Sequence, residues 1–170
     1  MAVLIKSIPE DILYLAPRLR QADVTELKAM TGMKADEGLM ASFNSSLPDF
    51  TKTIFIADKQ VGIFGLSPSA VIGIAYVWMV GTPDLSLLKK DLIIQTKKEL
   101  QHMTNAFPIL TNVVYSKNTV HIKWLHHLGF KFLRRYENFG YNKDSCFFHF
   151  IYHDTPIDIL DVIGSKKGAK

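Results

Sequence analysis

The chain has 170 residues, 48% of them hydrophobic and 21% charged, enough to bury one core and too few for two ordinary domains. The net charge is +4, but the cations sit in scattered pairs (Lys89-Lys90, Lys97-Lys98, Arg134-Arg135, Lys166-Lys167), which argues against a concentrated nucleic-acid footprint. A single cysteine, Cys146, excludes an internal disulfide and a cysteine-based zinc site, and the longest apolar run, 71–80, is about half of what a membrane-spanning helix needs.

At the N-terminus Lys6, Pro9, Glu10 and Asp11 leave no room for a signal-type apolar segment, so the expectation is a protein of the cytoplasm where it is made. Val3 to Ile8 reads as a short strand, and Pro9, Glu10 and Asp11 open a helix carrying Ile12, Leu15, Ala16 and Leu19 at helical spacing. Asp23 is placed to cap a second helix that stops near Gly32, and a further short helix is expected through Leu39 to Phe43. Thr53–Ala57 and Val61–Leu66, separated by Asp58-Lys59-Gln60, predict a hairpin with Asp58 as a turn former. Val71 to Val80 predicts a third strand, buried on both faces, that ends at Gly81-Thr82-Pro83.

A long helix carrying Leu88, Leu92, Leu100 and Met103 follows, with Asp84 and Ser86 as N-cap candidates, and Pro108 closes it. Ile109 to Ser116 is the next strand, Asn118 to Gly129 the next helix, and Phe132–Tyr136 and Ser145–Tyr152 the last two strands. The order is strand, two helices, three strands, helix, strand, helix, two strands, which a mixed sheet with helices on both faces accommodates. One domain is expected over 1–154, followed by an extension over 155–170 with a helix at Ile157 to Ile163 and a frayed basic tail from Gly164 to Lys170.

The segment Asn118-Thr-Val-His-Ile-Lys-Trp-Leu-His-His-Leu-Gly129-Phe130 resembles the local signature of the GNAT acyltransferases, whose element order β-α-α-β-β-β-α-β-α-β-β is the same. In that signature an asparagine caps the helix, a glycine ends it, and the phenylalanine starts the next strand. A wider pattern is similar to the GNAT-like internal virion (core) proteins of short-tailed lytic phages. It comprises Arg20, Asp23, Glu26-Leu27, Gly62 to Gly65, Tyr76-Val77-Trp78, Leu110 to Val114, Asn118, and Trp124-Leu125 to Gly129-Phe130. That resemblance implies a phage source, phage virion or host proteins as partners, and a place in the host cytoplasm or packaged in the virion.

The GNAT resemblance implies acetyl-CoA as cofactor, held by backbone N–H groups between the central strand and the long helix, here Val80, Gly81, Thr82 and Ser86, with Asn118 nearby. The family's Gly-rich motif is not kept: Pro83 has no N–H to donate and Asp84 sets a negative charge where phosphates would lie. The family's proton-donating tyrosine falls on Leu125, which cannot be an acid. His121, His126 and His127 are candidate replacements, with half-buried surface histidines as the alternative. Tyr76 and Trp78 share a strand face and either line a substrate groove or pack in the core.

His149 and His153 lack a third ligand at metal spacing, and Cys146 reads as a small hydrophobe. Arg134-Arg135-Tyr136 with Phe139 and Tyr141 has the mixture of a single-strand binder or of an exposed strand face. Two functions remain open on the sequence: a non-catalytic internal virion or assembly protein, favoured by Pro83-Asp84 and Leu125, and an acetyl-CoA-dependent N-acetyltransferase acting on a host protein or small amine.

Overall fold

The computed structural model describes residues 2–154, so the expected helix at 157–163 and the tail beyond it lie outside the described residues. Seven strands form one sheet in the order β1-β2-β3-β4-β5-β7-β6. They are β1 (Ala2–Lys6), β2 (Lys52–Ile56), β3 (Lys59–Pro68), β4 (Ile74–Gly81), β5 (Ile109–Tyr115), β6 (Lys131–Phe139) and β7 (Ser145–Tyr152). All neighbours are antiparallel except β4 and β5, which are parallel and joined through a long helical crossover.

Helices α1 (Pro9–Leu15), α2 (Gln21–Thr31) and α3 (Ala35–Ser45) lie on one face, and α4 (Lys89–Ala106) and α5 (Thr119–Leu128) on the other. Each face carries its own core. Leu92, Leu100, Met103, Leu125 and Leu128 pack on Phe64, Ala75, Leu110, Val114 and Phe150, while Ile12, Leu15 and Leu39 pack on Ile63 and Val80. The mixed sheet with helices on both faces is the expected architecture.

Local chemistry moves some boundaries. Val71 and Ile72 are apolar but exposed, because the Ser69 hydroxyl bonds both the N–H and the C=O of Val71 and Gly73, at φ +82°, completes a turn. Strand β4 therefore starts at Ile74, and its Tyr76 is 47% exposed where burial on both faces was expected. Asp23 is not the cap of α2. Arg20 holds that position and Asp23 lies in the first turn with its side chain buried. Neither Asp84 nor Ser86 caps α4, because a 3-10 turn over Pro83–Leu88 intervenes and Leu88 becomes the N-cap residue. Asp84 instead pairs with Lys59, and the Ser86 hydroxyl donates to the Pro83 carbonyl.

Helix α5 follows its sequence signals at both ends. The Asn118 side chain accepts the N–H of His121 at 3.2 Å, and Gly129, at φ +98°, terminates the helix in the left-handed region.

Candidate active site

The parallel pairing of β4 with β5 covers only Ile74–Tyr76 against Ile109–Thr111. Beyond Thr111 the strands splay, although β4 keeps its register with β3 as far as Gly81 and β5 keeps its register with β7 as far as Tyr115. The Asn112 side chain closes the apex of this V by donating to the Val77 carbonyl at 3.1 Å. At the mouth, the N–H of Gly81 donates to Asp23 Oδ2 at 2.9 Å and the N–H of Tyr115 to Glu26 Oε2 at 3.2 Å. Backbone groups two apart on a strand face the same edge, so Met79, midway between Val77 and Gly81, presents its N–H and C=O to the gap.

Helix α2 thus bridges the mouth through two acids spaced three residues apart. Arg20 Nε and Nη2 donate to Asp23 Oδ2 at 3.0 and 2.8 Å, and the backbone of Arg20 donates to the Gly81 carbonyl at 2.9 Å. Asn118 Nδ2 reaches Asp23 Oδ1 at 3.2 Å and Glu26 Oε2 at 2.9 Å, joining the network to α5. Asn118 is 1% exposed and its amide points toward these acids. At its other end α2 is held by the β6–β7 loop, where the Tyr141 N–H donates to the Ala29 carbonyl and the Tyr141 ring covers Gly32.

Two cavities open on either side of the gap. One, about 480 Å³, lies between α4, α5 and β4, with Arg20, Met79, Leu85, Leu92, Trp124 and His127 among its walls. The other, about 200 Å³, lies under α2, with Asp23, Glu26, Leu27, Met30, Met79 and Phe147 among its walls. Met79 and His121 line both, and His121 is the one titratable side chain the two share.

His121 is 8% exposed, and its Nδ1 makes no hydrogen bond among the described residues, with Glu26 Oε1 3.6 Å away. Burial by itself lowers the imidazole pKa. The carboxylates of Glu26 and Asp23 more than offset burial and the opposing Arg20, and the net pKa lies above the ordinary value of 6.5. This is a buried histidine, not the half-buried surface residue that its neighbours on α5 indicate.

The other candidates separate. His126 is exposed and packs on Phe132 with ring centroids 4.6 Å apart and the rings tilted by 37°, and it lines neither cavity. His127 is exposed at the rim of the larger cavity, its Nδ1 2.6 Å from the Lys123 carbonyl oxygen. Leu125 is 4% exposed and packs in the α4/α5 core. Trp78 lines the smaller cavity, donates from Nε1 to Ser46 Oγ at 2.8 Å and lies over Gly65, while Tyr76 lines neither cavity. Among the described residues no group of three His, Cys, Asp or Glu is placed to hold a metal ion, and no helix is long and apolar enough to cross a membrane.

The residues named for cofactor binding are mostly engaged within the protein. Gly81 gives its N–H to Asp23, Thr82 gives its N–H to the Val61 carbonyl at 2.8 Å, and the Leu85 N–H goes to the Thr82 carbonyl at 3.1 Å. Val80 packs beneath the smaller cavity and Ser86 lies on the wall of the larger. Met79, Glu26 and Arg20 carry the geometry of the gap, and none of them is among the site residues the sequence predicts. The recurrence of Arg20, Asp23 and Glu26 at intervals of three, on one helix face, is the signal that points to them.

No family model matches this sequence, and no curated protein matches it. Solved structures match the fold over nearly its whole length. Ard1 from Thermoplasma volcanium matches with a TM-score of 0.64 at 14% identity, over 91% of this chain and 98% of that one. The ribosomal-protein-S5-alanine acetyltransferase from Vibrio fischeri matches with 0.64 at 11%, over 91% and 94%. The spermidine N-acetyltransferase from Vibrio cholerae, solved in complex with CoA and spermine, matches with 0.65 at 9%, over 89% and 95%. The chain has the fold of the GNAT acetyltransferases.

Proposed function

We propose that the protein is an N-acyltransferase that moves an acyl group from a thioester to an amine across the β4–β5 gap. One observation carries this reading: two cavities lie on either side of the gap, and Met79 and His121 line both. The apolar walls of the α4/α5 cavity suit the thin arm of a thioester, and the acids of the α2 cavity suit a cationic amine. A bound thioester supplies an electrophilic carbonyl. The N–H of Met79 is placed to donate to its oxygen as negative charge develops there. As the neutral amine nitrogen bonds to the carbonyl carbon and the C–S bond breaks, Glu26 accepts the proton that the amine loses, and His121, held protonated by its raised pKa, gives its own to the departing thiolate in the absence of a tyrosine at Leu125. The GNAT-fold acetyltransferases named above for ribosomal-protein alanine and for spermidine act on amines, which supports an amine acceptor here.

The test is release of free thiol from acetyl-CoA and from S-acetylpantetheine in the presence of a panel of amines, including spermidine and peptides with free N-termini. The reading predicts amine-dependent release that falls by about 10²-fold or more in His121→Gln. Release no faster than the uncatalysed background, with every amine, would sink it. A second reading, a non-catalytic internal virion or assembly protein, draws support from Leu125 and from Pro83-Asp84. It predicts that no thioester binds and that copurification with virion proteins follows.

A further inference from the structure

We infer that the protein recognises its donor through the pantetheine arm alone, and that the nucleotide diphosphate end of coenzyme A adds nothing to affinity. The inference rests on the thioester reading above. It comes from the segment that follows β4, where phosphates of a cofactor lying in the gap would emerge.

Successive backbone N–H groups there would have to be open for an anion cradle. Four of the five positions 81–85 offer none: Gly81 donates to a buried carboxylate, Thr82 and Leu85 donate to carbonyls, and Pro83 has no N–H. The Leu85 side chain fills the space above Gly81, and a Cβ added at Gly81 would stand 2.5 Å from it. Gly81 therefore answers to packing, not to a phosphate. The helix N-terminus is displaced as well, since the six-residue 3-10 turn separates β4 from the first turn of α4, which carries Asp91.

The local charge is no substitute. Asp23 lies against the Gly81 N–H with its side chain 1% exposed, and Asp84 follows on the turn, so two carboxylates flank the position. Arg20 is committed to Asp23, and the His127 ring nitrogen Nδ1 faces the Lys123 carbonyl. Lys123 is exposed to solvent at the rim. The wide cavity between α4 and α5 remains, lined by Met79, Leu85, Leu92, Ile93 and Trp124, a surface for methylenes and amides.

Calorimetric titration of the full chain with S-acetylpantetheine and with acetyl-CoA tests this. Charge-assisted hydrogen bonds to phosphate are worth about tenfold or more each, so a working cradle would separate the two ligands by at least about a hundredfold. The expected result is two dissociation constants within about tenfold of each other, with neither affinity falling as salt rises. Acetyl-CoA binding more than about tenfold tighter than S-acetylpantetheine, and weakening with salt, would overturn the inference and leave the acyltransferase reading intact. Binding of neither ligand at millimolar concentration would overturn both.

Discussion

Asp23 on α2 accepts the backbone N–H of Gly81, the last residue of β4, at 2.9 Å and across 58 positions of sequence. The same carboxylate oxygen receives both Arg20 contacts, so one buried acid ties the start of α2 to the end of the central strand. Replacing it by alanine leaves a guanidinium and a backbone N–H without their acceptor. Asp23→Ala is expected to destabilise the fold by about 3–5 kcal/mol. Asp23→Asn, which retains an acceptor oxygen, loses clearly less. Urea unfolding of the two variants checks the order.

Gly81 is constrained by its neighbour Leu85, not by its own backbone angles. Gly81→Ala is expected to cost about 1–3 kcal/mol through overpacking. Combined with Leu85→Ala, it should cost less than the sum of the single changes by about 1 kcal/mol or more, because the second change removes the atom in conflict. Additive losses in denaturant titrations would show that Leu85 is not the obstacle.

His121 makes stability depend on pH in a defined direction. Its folded pKa is raised, so the folded state binds the proton more tightly than the unfolded chain does. The stabilisation is fully present below the unfolded value of about 6.5 and is lost as pH rises through the folded value. His121→Gln should remove this dependence, and Glu26→Gln should lower the imidazole pKa measured by NMR. An imidazole titrating below the unfolded value in the unmodified protein would contradict the assignment.

The indole Nε1 of Trp124 is buried and has no hydrogen-bond partner among the described residues. Trp124→Phe removes that donor while keeping most of the ring. The expected result is stability unchanged or raised by up to about 1 kcal/mol, against the loss of about 3 kcal/mol or more typical of truncating a buried ring. Thermal and urea denaturation decide between them.

How much of this was legible in the sequence varies with the range of the interactions. Helix α5 could be read end to end, because a cap at Asn118 and a stop at Gly129 act on their own neighbours. Apolar and β-branched runs are enough to place the strands, although β4 begins at Ile74 and not at the exposed Val71, and β6 buries no residue fully. The segment after β4 could not be read that way. Asp84 and Ser86 have the chemistry of N-caps, but Lys59 draws Asp84 aside from 25 positions away and the chain winds into a 3-10 turn. Asp23 has cap chemistry too, and its deciding partner is Gly81. His121 resembles its exposed neighbours His126 and His127 in sequence, and its burial beside Glu26 of α2 distinguishes it. The site is long-range at almost every contact, which is why local patterns reached the fold before they reached the chemistry.

The proposed function turns on the Met79 N–H facing a gap that accepts an acyl thioester. The most direct measurement is an amide NMR titration of the labelled protein with S-acetylpantetheine, following Met79 against the strand-paired amides of β3. A saturable shift is expected at Met79, accompanied by His121 and Trp124, with the β3 amides unmoved. An unchanged Met79 resonance at millimolar ligand would contradict it.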